Sequence, residues 1–193
     1  VQLLLESTDI EQQESYMPYT DGIQFKSTRN LQKNYSGMNL SYELEDGIRE
    51  LARQYDIPYQ IVLTIGEQES NGCWNNNGVI SATDDYGEFQ INKRNLSYIE
   101  EQLGYTEEEI LYDSLKNAEA AIFLLKDIIN RDDVTSLEDV FGMYNGWVNW
   151  KNKSISVNYV NNCNHIMKEY FPNFEYNNNE DKSNNPLVLS LSK

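Results

Sequence analysis

From residue 41 onward the apolar positions of this chain fall into helical periods, while residues 1–40 are polar with scattered aromatics (Tyr16, Tyr19, Phe25, Tyr35). The first segment reads as an arm or linker. Ser41 is placed as an N-cap, with Glu43 and Glu45 in the first turn. Leu44, Ile48, Leu51 and Ala52 then recur at spacings of 4, 3 and 1 residues, the period of an amphipathic helix. Asp56-Ile57-Pro58 ends that helix and starts another, since proline suits a first helical turn. The second helix, 58–70, carries Ile61, Val62 and Ile65 on one face. Glu69, four residues past Ile65 and seven past Val62, falls on that same face. Glu67 lies about 200° around the helix from it and is expected to face solvent.

Residues 71–85 are rich in Asn, Gly, Ser and Asp and predict a loop or short hairpin. Order resumes over 87–96, with Phe89 and Ile91 as core candidates. Further helices are expected at 107–111, 114–129, 137–144 and 157–170. The long one has Leu115, Ala118, Ala121, Ile122 and Leu125 on its apolar face; the next is broken by Asn145-Gly146, and the last stops before Pro172. The tail is Asn-rich and reads as disordered, although its apolar run Leu187-Val188-Leu189 could add one strand or dock. The division is therefore an arm (1–40), a catalytic-sized domain (41–174) and a tail (175–193), without internal repeats.

At 193 residues the chain is sized for one domain with a sizeable core. Its 31 acidic and 15 basic residues give a net charge of −16. Nucleic acid and anionic membrane surfaces need positive charge in their partners, so neither is expected here. A neutral amino-sugar polymer would not be repelled. No run reaches the roughly 18–20 apolar residues of a membrane span. The chain opens on Val without a charged-then-apolar leader, as in a mature or trimmed piece that a leader or membrane anchor could precede. Cys73 and Cys163 are the only cysteines, and a disulfide or two free thiols both remain open. His165, the only histidine, stands two residues from Cys163, a spacing that points to different helix faces. No clustered Cys/His set suggests a metal, and no cofactor is expected.

The chemistry concentrates in Glu69-Ser70-Asn71 and in Asp84-Asp85-Tyr86-Gly87-Glu88-Phe89-Gln90-Ile91-Asn92. Long carboxylic side chains are rarely buried without a partner or a purpose. A glutamate on an apolar face is set up to hold a proton, and a second carboxylate follows 16 residues later at Asp85. Cleaving a glycosidic bond needs a proton donor for the leaving oxygen and something to stabilise or capture the oxocarbenium-like centre. Asp84 or Asp85 also suits the plainer role of capping a turn.

Several blocks together resemble the soluble lytic transglycosylases. Ile65-Gly66-Glu67-Gln68-Glu69-Ser70 is similar to the helix end that carries the family's Glu-Ser pair, and Gly87-Glu88-Phe89-Gln90-Ile91 to its Gly-Leu-Met-Gln block. The helix from Asp113 to Leu125, the turn Met143-Tyr144-Asn145-Gly146 and the pair Tyr159-Val160 follow in the family's order, covering about residues 41–172. Thr83-Asp84-Asp85-Tyr86-Gly87 is also similar to the block with the second carboxylate of animal-type lysozymes, and comparable pairs occur in cell-wall hydrolases of Gram-positive conjugative elements and phages. The resemblance implies a mainly α, lysozyme-like domain with a small loop or hairpin region beside a glycan cleft.

It further implies cleavage of the N-acetylmuramic acid–N-acetylglucosamine β-1,4 bond, by transglycosylase or muramidase chemistry. Glu69 would be the acid/base and Asp85 the second catalytic carboxylate, with Ser70, Gln90, Tyr144 and Asn145 binding substrate. Glu88, in place of the usual leucine, is expected to bring an extra charge beside the cleft. The expected partner is peptidoglycan, outside the cell or at its surface, with a cell-wall or secretion-machinery association. A non-catalytic binding or structural module of such a machine is the competing reading.

Overall fold

The computed structural model describes residues 15–18, 24–27, 35–146 and 148–176. Chain contacts divide it between residues 34 and 35. On the N-terminal side β1 (Ser15–Pro18) and β2 (Gln24–Ser27) pair antiparallel, Ser15 opposite Ser27. Strands of four residues are too short to impose a visible period, and this pairing was not expected. The apolar run at 187–189 lies outside the described residues.

The second unit is mainly helical. Its described residues form α1 (Tyr42–Gln54), α2 (Tyr59–Glu69), α3 (Leu96–Leu103), α4 (Glu107–Tyr112), α5 (Ser114–Ile129), α6 (Leu137–Tyr144) and α7 (Ser154–Tyr170). A small antiparallel hairpin, β3 (Asp85–Tyr86) and β4 (Ile91–Asn92), lies between α2 and α3. Side-chain caps fix several starts: Ser41 accepts from the Leu44 amide at 3.2 Å, and Thr106 with Glu109 completes a capping box. α3 was not expected, although Leu96, Ile99 and Leu103 repeat at helical spacing and Gly104, at φ 73°, stops it. α7 begins three residues earlier than its apolar period, at Ser154.

α2 runs through the middle of the core. Residues 61–67 are all buried, and the helix packs against α7 and α1. Its own Ile61 and Ile65 are fully buried, as are Ile48, Phe89, Leu125 and Phe141 from the rest of the core. A helix enclosed on every side has no solvent face, so the expectation that Glu67 is exposed fails. Its carboxylate accepts the Trp74 indole N–H at 2.5 Å instead. The six-membered ring of the indole abuts Gly66, where an added Cβ would stand 2.3 Å from a ring carbon, so this approach requires glycine. Leu115, expected in the α5 core face, is instead 40 % exposed and covers Gly47 with its methyl groups.

Candidate active site

The last residue of α2 is Glu69, where the buried helix meets a cleft of about 640 Å³. The hairpin contributes Asp85 and Gln90 to the same cleft, and the C-terminal end of α6 contributes Tyr144 and Asn145. Five of the six expected site residues are thus brought together. Ser70 is not: it is 3 % exposed, its hydroxyl reaches only the Glu67 carbonyl at 3.5 Å, and it does not line the cleft. The expected substrate-binding role of Ser70 is therefore corrected, because the turn after α2 points its side chain inward. Glu88 is likewise buried, accepting the Asn76 amide at 3.0 Å, so its charge anchors the preceding loop rather than flanking the cleft.

Glu69 is half-buried, and its Oε1 accepts a hydrogen bond from the Tyr159 hydroxyl of α7 at 2.7 Å. Burial disfavours its charged form and raises its pKa from 4.5 to about 7. The Tyr159 bond pulls the other way, and the nearby charge of Asp85 adds to the rise. Tyr159 and Tyr144 are held well above the ordinary phenol range, by burial first and by Glu69 next, so both remain neutral donors. In the sequence Tyr159 is marked only as part of a helix block. A contact between residues 90 apart in the chain leaves no local signal.

Asp85 is held from three sides. One oxygen accepts Ser81 Oγ at 2.9 Å and Thr83 Oγ1 at 2.5 Å, and the other accepts Asn92 Nδ2 at 2.6 Å. Such bonds fix the carboxylate's orientation. The hairpin itself is pinned by Asn117 of α5, which donates to the Tyr86 and Ile110 carbonyls at 2.8 and 3.0 Å and accepts the Phe89 amide at 2.8 Å. Gly87, at φ 70°, admits this carboxamide; a Cβ there would lie 2.5 Å from Asn117 Nδ2.

Gln90 also has left-handed backbone, at φ 49°, and donates to the Gly87 carbonyl at 2.8 Å. Tyr144 donates to the Phe89 carbonyl at 2.9 Å, and Asn145 accepts Ser156 Oγ at 2.9 Å. The cleft residues are therefore oriented by bonds to the scaffold before any ligand arrives. The arrangement can deliver a proton from Glu69 beside a fixed second carboxylate.

Cys73 and Cys163 are free thiols, the first exposed and the second buried. Burial, with the charge of Glu69 behind it, pushes the Cys163 thiol up. His165 is exposed and stands 3.8 Å from Glu169, so it forms no pair with Cys163.

No curated protein matches the chain. The profile of the transglycosylase SLT domain matches residues 46–167, more than half of the chain, from within α1 to within α7. That span takes in the glutamate at the end of the central helix, the pinned hairpin and the end of α6, and the chain belongs to the transglycosylase SLT domain family, lysozyme-like α domains of the lytic transglycosylase type whose substrate is peptidoglycan.

Proposed function

We propose that this domain cuts the peptidoglycan strand at the β-1,4 bond between N-acetylmuramic acid and N-acetylglucosamine, with Glu69 as general acid and then general base. The observation that carries the reading is a cleft carboxyl whose pKa is raised to about 7, so that about half of the molecules hold its proton at neutral pH and the pKa matches the task of an acid that then serves as base. Its proton passes to the bridging oxygen as the C1–O bond breaks, and Tyr159, bonded to the same carboxyl, stabilises the charge left behind. The 6-hydroxyl of the muramic acid then attacks C1, assisted by the N-acetyl group. Glu69 takes the hydroxyl proton, which closes a 1,6-anhydro ring and restores the acid. The site of action is then wherever the polymer lies, outside the cell membrane.

One feature favours a second reading, hydrolysis: Asp85 shares the cleft and is locked in place. In that route it stabilises the oxocarbenium-like centre or guides water to C1. Mass spectrometry of digested peptidoglycan separates the two, because anhydro ends mark the intramolecular route and reducing ends mark water. Glu69→Gln is expected to abolish both products. Asp85→Asn keeps most of the activity under the first route and loses it, by about 100-fold or more, under the second. Glycan binding without turnover by the wild-type protein would return the domain to the class of binding modules.

A further inference from the structure

The cleft contains two arginines, Arg94 and Arg131, in a chain of net charge −16. They differ in what they already hold. Arg131 is engaged by Asp133 in a paired contact, Nε to Oδ1 and Nη2 to Oδ2, both at 2.8 Å. Arg94 has no acidic partner among the described residues. Its amide and Nε donate to Asn92 Oδ1 at 3.2 and 3.0 Å, and its outer guanidinium nitrogens bond no described residue.

Asn92 is the link between this arginine and the proposed chemistry. It stands opposite Asp85 in the hairpin register, and its Nδ2 donates to Asp85 Oδ1 at 2.6 Å. A single carboxamide therefore spans from the second carboxylate to the base of the guanidinium, leaving the outer fork of Arg94 open. A guanidinium fork matches a carboxylate in shape and charge. Glu69, Asp85 and Asp127 all line the cleft, and without a cation they would repel any anionic group entering it.

We propose that Arg94 is a specificity-determining residue that binds a carboxylate carried by the muramyl substituent of the strand. The inference rests on the peptidoglycan-cleaving function proposed above and states which part of the polymer the hairpin end of the cleft reads. The amino-sugar backbone is neutral, so a carboxylate here comes either from the lactyl group of a peptide-free strand or from the stem peptide. Held by Arg94, it places its own sugar beside Asp85 and, through the shared cleft, in reach of Glu69.

The test measures binding by isothermal titration calorimetry in a Glu69→Gln background, so that turnover does not enter. Three probes are used: amidase-stripped strands with free lactyl carboxylates, strands bearing stem peptides, and stripped strands whose carboxylates have been amidated with methylamine. The expected result is that Arg94→Gln weakens at least one carboxylated probe about three- to tenfold and erases the preference for it over the amidated one. The lactyl and stem-peptide sources are told apart by which probe loses affinity. Lys93→Gln, the same charge change outside the cleft lining, is expected to leave the preference intact. Equal loss on amidated and free strands, no loss on any probe, or no binding by the Glu69→Gln parent overturns the proposal. Failure of the cleavage reading shows separately, as strand binding with an Arg94-dependent preference but no product from the wild-type enzyme.

Discussion

Replacing Glu69 by glutamine should destroy activity and raise stability, with the gain confined to neutral and alkaline pH. The carboxyl is raised from 4.5 to about 7, mainly by burial. Between those values the folded chain keeps a proton that the unfolded chain has released, so wild-type stability falls as pH rises through the interval. The gap, at about 1.4 kcal/mol per pH unit, comes to about 3 kcal/mol at pH 8 and under about 1 kcal/mol at pH 5. The first figure is an upper bound, because the cleft leaves part of Glu69 in water. Glutamine keeps the shape and an acceptor for the Tyr159 hydroxyl but is never ionised. Thermal unfolding followed by circular dichroism at both pH values is the assay. For a domain of this size the variant should melt roughly 6–12 °C above wild type at pH 8 and only slightly above it at pH 5. A gap that is the same at both pH values, or a variant less stable at pH 8, would refute the argument that desolvation of this carboxyl sets its proton affinity.

Tyr159→Phe removes the hydrogen bond that lowers the Glu69 pKa, so the alkaline limb of the kcat/KM profile should move above pH 7; an unmoved limb counts against that bond. Asn117→Ala leaves three hairpin and helix backbone groups without their partner and should cost about 3–5 kcal/mol in urea unfolding. A chromogenic disulfide reagent should titrate one thiol per native chain, Cys73, and two in denaturant; none in denaturant would mean a disulfide.

Most helices with one exposed face are legible from spacing, α3 being the exception because its eight residues carry only three apolar positions at that spacing. α1, α5 and α6 declare themselves because polar residues interrupt the apolar ones at regular intervals; the cap at Ser41 is also visible, while those at Asp113 and Ser136 emerge only in the structure. The same reasoning misplaced Glu67, since it assumes that every helix has a wet side, and α2 has none over 61–67. Glu69 stood out as an acid in an apolar stripe, and Asp85, Gln90, Tyr144 and Asn145 through ordered blocks. What holds them was not visible. Asn117 looks like any polar residue on a helix, and only tertiary approach makes its carboxamide the anchor of the hairpin. Tyr159 gains its importance from a partner 90 residues away that folding brings near, whereas Arg94 bonds Asn92, two residues before it, and matters through the cleft it lines.

The bond from Tyr144 to the Phe89 carbonyl ties the end of α6 to the hairpin turn, and both elements contribute residues to the cleft. Widening the groove there would strand that carbonyl, so the bond resists opening at this point. A saccharide that met such resistance would adapt to the groove, with any work of bending drawn from contacts elsewhere along the polymer. Long strands therefore supply what short oligomers lack, and turnover should climb with the number of sugars engaged.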